Sequence, residues 1–267
     1  MDAATKIKKA LEINPRYIKS KLTTFIKERV KKAGAKGVVI GLSGGLDSST
    51  IAALCAEALG AGRVLGISMP EVGVTDSHDV ADARKMANKL GIDFKVVDIT
   101  PAVHGVRANL TNFRTDALLP AANIKPRVRM TILYCYANLL NRLVVGSGNR
   151  SELRAGYFTK YGDGAADLLP LGRLYKTQVK QLAIHLGVPE QIIHKVPSAG
   201  LWKGQTDEAE LGLPYEKIDK IYVGLDLGLK LDKIAEAAGV KIKDVKKLID
   251  RERRSAHKLI GPEIPKL

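Results

Sequence analysis

A short β-branched run, Gly37-Val38-Val39-Ile40-Gly41-Leu42, breaks into Ser43-Gly44-Gly45-Leu46-Asp47-Ser48-Ser49, and this junction constrains the chain more than any other feature. Apolar runs of this kind, bounded by glycine, are strands buried on both faces. The residues that follow predict a helix over 48–59. A strand feeding a helix through a glycine turn is the first half of a parallel βαβ unit, and ligands of such sheets bind at the carboxyl ends of the strands. Gly44 and Gly45 remove two β-carbons, so backbone N–H groups can approach an anion closely, and the helix dipole adds positive potential. Ser43, Ser48 and Ser49 add hydroxyl donors. The lysine of a Walker A loop is missing. Asp47 stands there instead, and a carboxylate beside a phosphate cradle makes sense only with a Mg²⁺ between them.

The rest of the chain repeats the alternation. Strands are predicted at 63–68, 94–99 and 141–147. Helices are predicted over 75–91, opened by Thr75 or Asp76 and closed by Gly91, and over 127–140. The fold class is α/β, a Rossmann-like doubly wound parallel sheet with helical N- and C-terminal segments. We expect a single domain over 1–267, made of a helical segment 1–36, a core 37–228 and a helical segment 229–267. In the first segment Ile18, Leu22, Phe25, Ile26 and Val30 share one helix face, which makes Leu22 and Phe25 candidates for a subunit interface. Residues 195–215 hold two prolines and three interior glycines without periodicity, which reads as a long binding loop or lid carrying Trp202.

Composition narrows the partners. The formal net charge is +15. Residues 1–36 carry +8 of it and residues 229–258 carry +5, whereas 37–228 carry only +2. A basic balance invites a nucleic-acid reading, such as a tRNA-modifying enzyme, but the neutral centre and the lack of an RNA-binding module disfavour it. No nucleic-acid partner is expected. No apolar run reaches the roughly 20 residues of a membrane helix, and no secretory signal opens the chain, so a cytoplasmic protein is expected. Cys55 and Cys135 make neither a disulfide framework nor a zinc cluster, and both read as small core hydrophobes. His78, His104, His185 and His194 lack metal-ligand spacing and read as structural or surface residues.

Two further constellations follow the fourth strand. The first is Gly146-Ser147-Gly148-Asn149-Arg150-Ser151-Glu152. The second, Gly156 to Asp167, gathers three glycines, Lys160, Asp163 and Asp167, and can hold charged groups close to a ligand. Lys176-Thr177-Gln178-Val179 then opens a helix.

The stretch 43–48 resembles the SGGxDS pyrophosphate loop of the N-type ATP pyrophosphatases. Residues 146–179, with Gly146, Glu152, the run Thr159-Lys160-Tyr161-Gly162-Asp163-Gly164 and the Lys176-Thr177-Gln178-Val179 start, resemble the NAD synthetase family within that group. Asn123 to Met130, the loop 197–219 including Tyr215 and Asp219, and Ser255-Ala256-His257-Lys258 are similar to further segments of the same family. The resemblance runs from about residue 37 to 262. It implies an adenine nucleotide alpha-hydrolase-like fold and ATP- and Mg²⁺-dependent amidation of deamido-NAD by ammonia. The products would be NAD, AMP and pyrophosphate, formed through a carboxyl-adenylate as the last step of NAD biosynthesis.

Carried over by position, the resemblance implies that Gly41, Leu42, Ser43, Gly44, Gly45, Leu46, Asp47 and Ser48 wrap the ATP phosphates. Ser147, Lys176 and Ser198 would also contact ATP. Asp47 and Glu152 would bind Mg²⁺, and Arg127, Lys160, Asp167, His257 and Lys258 would contact deamido-NAD. Asp163 would handle the incoming ammonium, so that Asp47, Asp163 and Lys176 form the catalytic set. The family implies a homodimer with the dinucleotide at the subunit interface. Only about 36 residues precede the phosphate loop, so no glutaminase domain is expected in this chain, and free ammonia is the expected nitrogen source.

Overall fold

Val38, Val39 and Ile40 are all buried, which requires cover on both faces of their strand. The computed structural model describes residues 1–111, 114 and 117–265. It begins with helices α1 (Ala3–Leu11) and α2 (Pro15–Lys32), followed by β1 (Gly37–Gly41), α3 (Leu46–Leu59), β2 (Val64–Ser68), α4 (Ser77–Leu90) and β3 (Asp93–Val96). Next come α5 (Thr100–Ala108), α6 (Leu118–Leu140), β4 (Arg142–Val145), α7 (Arg150–Ala155) and α8 (Lys176–His185). The chain closes with α9 (Glu190–Ile193), α10 (Asp207–Leu211), α11 (Tyr215–Asp226), α12 (Leu231–Ala238) and α13 (Ile242–Ser255).

The four strands lie in the order β3-β2-β1-β4, every pair parallel. From β1 the chain winds outward through β2 and β3, then returns to place β4 on the other side of β1. The turns after β1 and β4 therefore lie side by side at the carboxyl ends of adjacent strands and line a crevice where the strand order reverses, the switch point where such sheets bind ligands. Period-two alternation divides β1 between two cores. Val38 and Ile40 join Ile26 and Val30 of α2, Ile51 and Leu54 of α3, and Val179 and Leu182 of α8. Val39 faces the other way, toward Ile67, Val103 of α5, Ala137 of α6 and Val144. The sheet is doubly wound, as expected.

A separate core joins the two ends of the chain. Ile7 of α1 packs with Ile218, Ile221 and Tyr222 of α11, Ile234 of α12, and Val245 and Leu248 of α13. Arg154 of α7 ties this bundle to the sheet. Its guanidinium donates to both oxygens of Glu252 at 2.7 and 3.0 Å and to Asp226 at 2.9 Å.

Several expectations need correction. Helix α3 starts at Leu46, which brings Asp47 into its first turn. Helix α6 begins at Leu118, not near 127, and runs through a buried Pro126. Pro126 leaves the Ala122 carbonyl without an N–H and crowds it with its ring, and burial of Ala121, Ala122 and Pro126 itself keeps the flanking turns in place. Strand β3 ends at Val96 and is largely exposed, as befits an edge. Asp76 caps α4, accepting from the His78 N–H, and Gly91 closes it at φ +66°. Cys55 is fully buried, but Cys135 is exposed. It sits two residues beyond the packed Leu133, roughly 200° around the helix at 100° per residue. Ile26 and Val30 of α2 are fully buried in the chain's own core, and Ile18, Leu22 and Phe25 are partly buried against the same cluster. His78, His104, His185 and His194 are all exposed. Among the described residues no helix is long and apolar enough to cross a membrane.

Candidate active site

The turn after β1 is shaped by hydrogen bonds among its own small residues. The Ser43 hydroxyl lies 3.0 Å from that of Ser48 and accepts from the Gly45 N–H at 3.3 Å. Ser48 in turn donates to the Gly45 carbonyl at 3.2 Å. The cap position of α3 is Gly45, which has no side chain to bond the first turn. The orphan N–H groups of that turn, with the helix dipole behind them, are left to face the crevice. Ser49 is fully buried, so the donor expected there points into the core.

Across the crevice, the turn after β4 brings a second set of groups to the same point. Asn149 caps α7 in a reciprocal box: its side chain accepts from the Glu152 N–H at 3.0 Å, and Glu152 Oε2 accepts from the Asn149 N–H at 3.2 Å. The Asn149 amide then donates to Asp47 Oδ1 at 3.1 Å, bridging the two turns. Lys176, the first residue of α8, places its ammonium between Asp47 Oδ2 and Glu152 Oε1, the latter at 3.1 Å. The same ammonium lies 5.0 Å from the centre of the Tyr215 ring, whose hydroxyl donates to Asp207 Oδ2 at 3.1 Å. Asp207 Oδ1 is buried with no hydrogen-bond partner.

Burial pushes the Glu152 carboxyl up to about 8 against the pull of Lys176, with Asp47 and Asp207 adding to the rise. Burial would depress Lys176, but Asp47 and Glu152 outweigh it and hold the ammonium firmly protonated. Two carboxylates converging on one cation fit Mg²⁺, a hard ion that takes oxygen ligands and completes its shell with water and phosphate. Among the described residues no group of three or more His, Cys, Asp or Glu is arranged to hold a metal by itself. The donors present suit an ion shared with a phosphate.

A buried carboxylate supports this cluster from below. Asp219 of α11 is fully buried and accepts from the Ser151 hydroxyl and, at 2.8 Å, from the Thr177 N–H. Ser151 also accepts from the Lys176 N–H at 2.9 Å. The helix starts that carry Glu152 and Lys176 are thus pinned to one side chain. Burial raises Asp219 to about 6, with the Ser151 and Thr177 bonds opposing.

The remaining expected residues form a second group. Arg127 donates to the Lys160 carbonyl at 3.3 Å, Lys160 to the His257 carbonyl at 2.8 Å, and Lys258 to the carbonyls of Gly156 and Phe158 at 2.8 and 2.9 Å. Beside this cationic strip a cleft of about 440 Å³ is lined by Gly156, Leu213, Arg251, Arg254, His257 and Lys258. Asp163 accepts from the Thr159 N–H at 2.8 Å, next to a left-handed Tyr161 at φ +60°. Protein surrounds this carboxyl and pushes it above the usual range, but its surface remains open to water, which moderates the push. Asp167 is occupied elsewhere, accepting from the Val144 N–H at 2.7 Å and from the Tyr134 hydroxyl at 3.3 Å. Ser147 lies on the turn between β4 and α7. Ser198 is exposed and accepts from the Gly200 N–H within its own loop.

The loop over 195–215 is folded back on itself. The Asp207 N–H donates to the Pro197 carbonyl at 3.0 Å, and the Leu201 N–H donates to Gln205 Oε1 at 2.7 Å. Trp202 is half-buried on it. The loop is also tethered by Lys125, which is buried in an ion pair with Glu71 and donates to the Leu201 carbonyl. Lys125, Asn149, Lys195 and Asp207 were given no role from the sequence. Lys125, Asn149 and Asp207 fall in segments singled out there, and Asn149-x-x-Glu152 is besides a capping-box pattern; Lys195 left no trace of its own.

The family model described as NAD synthase matches residues 18–262. The NH3-dependent NAD+ synthetase of Methanosarcina acetivorans is 44% identical over 248 residues, 93% of this chain and 97% of its own length. Among solved structures, NMN synthetase from Francisella tularensis aligns with a TM-score of 0.85 at 36% identity, over 96% of this chain and 100% of that one. The NH3-dependent NAD synthetase from Campylobacter jejuni, solved with a nitrate ion, aligns with a TM-score of 0.80 at 31% identity and the same coverage.

Proposed function

The chain belongs to the NAD synthase family and is a carbon–nitrogen-bond-forming ligase of NAD biosynthesis, and from that premise we infer that it amidates deamido-NAD with free ammonia at the expense of ATP. The observation that carries this reading is the convergence of Asp47 and Glu152 on one cation, directly beside a glycine loop and an uncapped helix start. Charge and geometry there suit a triphosphate.

A carboxylate resists amidation because its charge repels nucleophiles and oxide is a poor leaving group. In the proposed first half-reaction a nicotinate oxygen attacks the α-phosphorus of ATP and pyrophosphate departs. Residues 41–48, with Ser147 and Ser198, hold the phosphates in line, and Lys176 offsets the charge developing on the leaving group. Asp47 and Glu152 would hold Mg²⁺, which supplies further charge neutralisation when bound. In the second half-reaction ammonia attacks the carboxyl carbon of the adenylate and AMP departs. Ammonium must lose its proton first. A carboxyl raised above the usual range, as Asp163 is, accepts that proton more readily than an ordinary aspartate. Arg127, Lys160 and Lys258 supply the cationic strip for the anionic dinucleotide, with His257 beside them, and Asp167 positions the strand end next to it. We place the enzyme in the cytoplasm as a homodimer.

A second reading has the likeness to the Francisella NMN synthetase in its favour: the acid amidated could be a mononucleotide. One assay decides both. Purified protein with ATP, Mg²⁺ and ammonium is given deamido-NAD or nicotinate mononucleotide, with glutamine replacing ammonium in parallel. The reading predicts NAD, AMP and pyrophosphate from deamido-NAD and ammonium. Faster turnover of the mononucleotide would move the substrate, and equal activity with glutamine would refute the nitrogen source.

A further inference from the structure

Lys195 stands where the 195–215 loop leaves α9, more than a hundred residues in sequence from everything its ammonium touches. It donates to Asp79 Oδ1 at 2.9 Å and to Asp82 Oδ2, both on α4, and to the Gly44 carbonyl at 3.1 Å. An ammonium has three N–H donors and no more. All three are spent, so Lys195 has none left for a phosphate.

What it grips is the turn that faces the crevice. Gly44 has φ +81°, and a β-carbon there would lie 2.2 Å from the Asp79 carbonyl oxygen, so the turn rests directly on the backbone of α4. A peptide group is planar, with its C=O and N–H pointing oppositely. Holding the Gly44 carbonyl toward α4 therefore fixes the direction of the Gly45 N–H, at the cap of α3, where it donates to the Ser43 hydroxyl at 3.3 Å at the mouth of the turn. We propose that Lys195 is a positioning residue for nucleotide binding, setting the Gly44–Gly45 peptide in its anion-accepting orientation and tying the root of the 195–215 loop to the phosphate loop. Two carboxylates against the ammonium keep it charged in spite of its partial burial. The role rests on the reading of 41–48 as a phosphate loop.

The test is calorimetric binding of Mg-ATP without a second substrate, together with KM values and melting temperatures, on three variants. Lys195→Met removes the tie. Lys195→Arg keeps the charge but replaces a compact three-way donor with a planar fork. The triple variant D79N/D82N/K195M removes the tie while leaving no unpaired carboxylates to repel ATP. We expect all three to weaken Mg-ATP at least tenfold, with KM for deamido-NAD within twofold of wild type and melting temperatures within a few degrees. Normal ATP affinity in Lys195→Arg would overturn the proposal in favour of simple charge attraction. Restored affinity in the triple variant would overturn it in favour of repulsion by Asp79 and Asp82. Equal loss for both substrates with a collapsed melting temperature would make Lys195 a general structural residue. Wild-type protein that binds no Mg-ATP sinks the phosphate-loop reading itself, whereas one that binds it but makes no NAD sinks only the assigned reaction.

Discussion

Lys176 is buried among more negative charge than it can balance. Asp47 and Glu152 contact it, and Asp207 lies within electrostatic reach. Deleting a buried cation and deleting a surplus anion should then have opposite effects. Lys176→Met leaves the carboxylates uncompensated and should cost about 3–5 kcal/mol of stability, read from denaturant melts. Glu152→Gln should not destabilise the unliganded protein. Because the folded Glu152 carboxyl sits near 8, above its value of 4.5 in an unfolded chain, the stability it contributes is present below pH 4.5 and lost as pH rises through about 8. Glutamine does not titrate. The melting temperature of Glu152→Gln should therefore gain on wild type between pH 5 and pH 8 and stay level beyond. Both variants should lose turnover by two orders of magnitude or more. A Glu152→Gln protein whose relative stability ignored pH would contradict the assigned shift.

At the scale of elements, the two glycines of the β1–α3 turn are unequal. Gly44 needs both a left-handed backbone and the absence of a β-carbon, since one would strike the Asp79 carbonyl. At Gly45 the backbone is extended, and a β-carbon would meet only the Ser43 hydroxyl, at 3.4 Å. Gly44→Ala should lower the melting temperature by several degrees and abolish Mg-ATP binding. Gly45→Ala should melt within a degree or two of wild type, and any loss should appear only in nucleotide affinity. The contrast is invisible in the sequence, where the two are adjacent copies of one residue. Local patterns were legible: the glycine-bounded run 37–42, the Asp76 and Gly91 caps, and the apolar face of α2 are each written within a few residues. The partner of that face was not, because periodicity says that a stripe is buried but not by what. Asp47, Glu152 and Lys176 were legible as motif positions, yet the ammonium seated between the carboxylates emerges only when α3, α7 and α8 are brought to one point. Lys195 left no local signal at all, because every group it holds is distant in the chain, and Lys125 was legible as a motif position between Asn123 and Met130 but not by its partners Glu71 and Leu201.

At the scale of the molecule, the charge excess is not divided between two remote ends. Helix α1 packs on α11 and α12, so Lys6, Lys8 and Lys9 join the basic segment 229–258 on one helical bundle, while the other basic residues of 1–36 follow α2 along the sheet core. Such a field should speed the encounter with polyanionic nucleotides. The value of kcat/KM should fall several-fold between about 50 and 300 mM salt while kcat stays nearly constant, since added ions screen charges farther apart than about 8–10 Å. A salt-independent kcat/KM would assign the excess to solubility alone. The same packing has a consequence for how the protein is made. Ile7 leaves the ribosome early, but its neighbours Ile218, Ile234, Val245 and Leu248 follow more than two hundred residues later. At roughly 5–20 residues per second, the first helix spends on the order of ten to forty seconds of synthesis with its apolar face uncovered. The sheet can assemble behind it during that wait, but α1 can dock only once α11, α12 and α13 have been made.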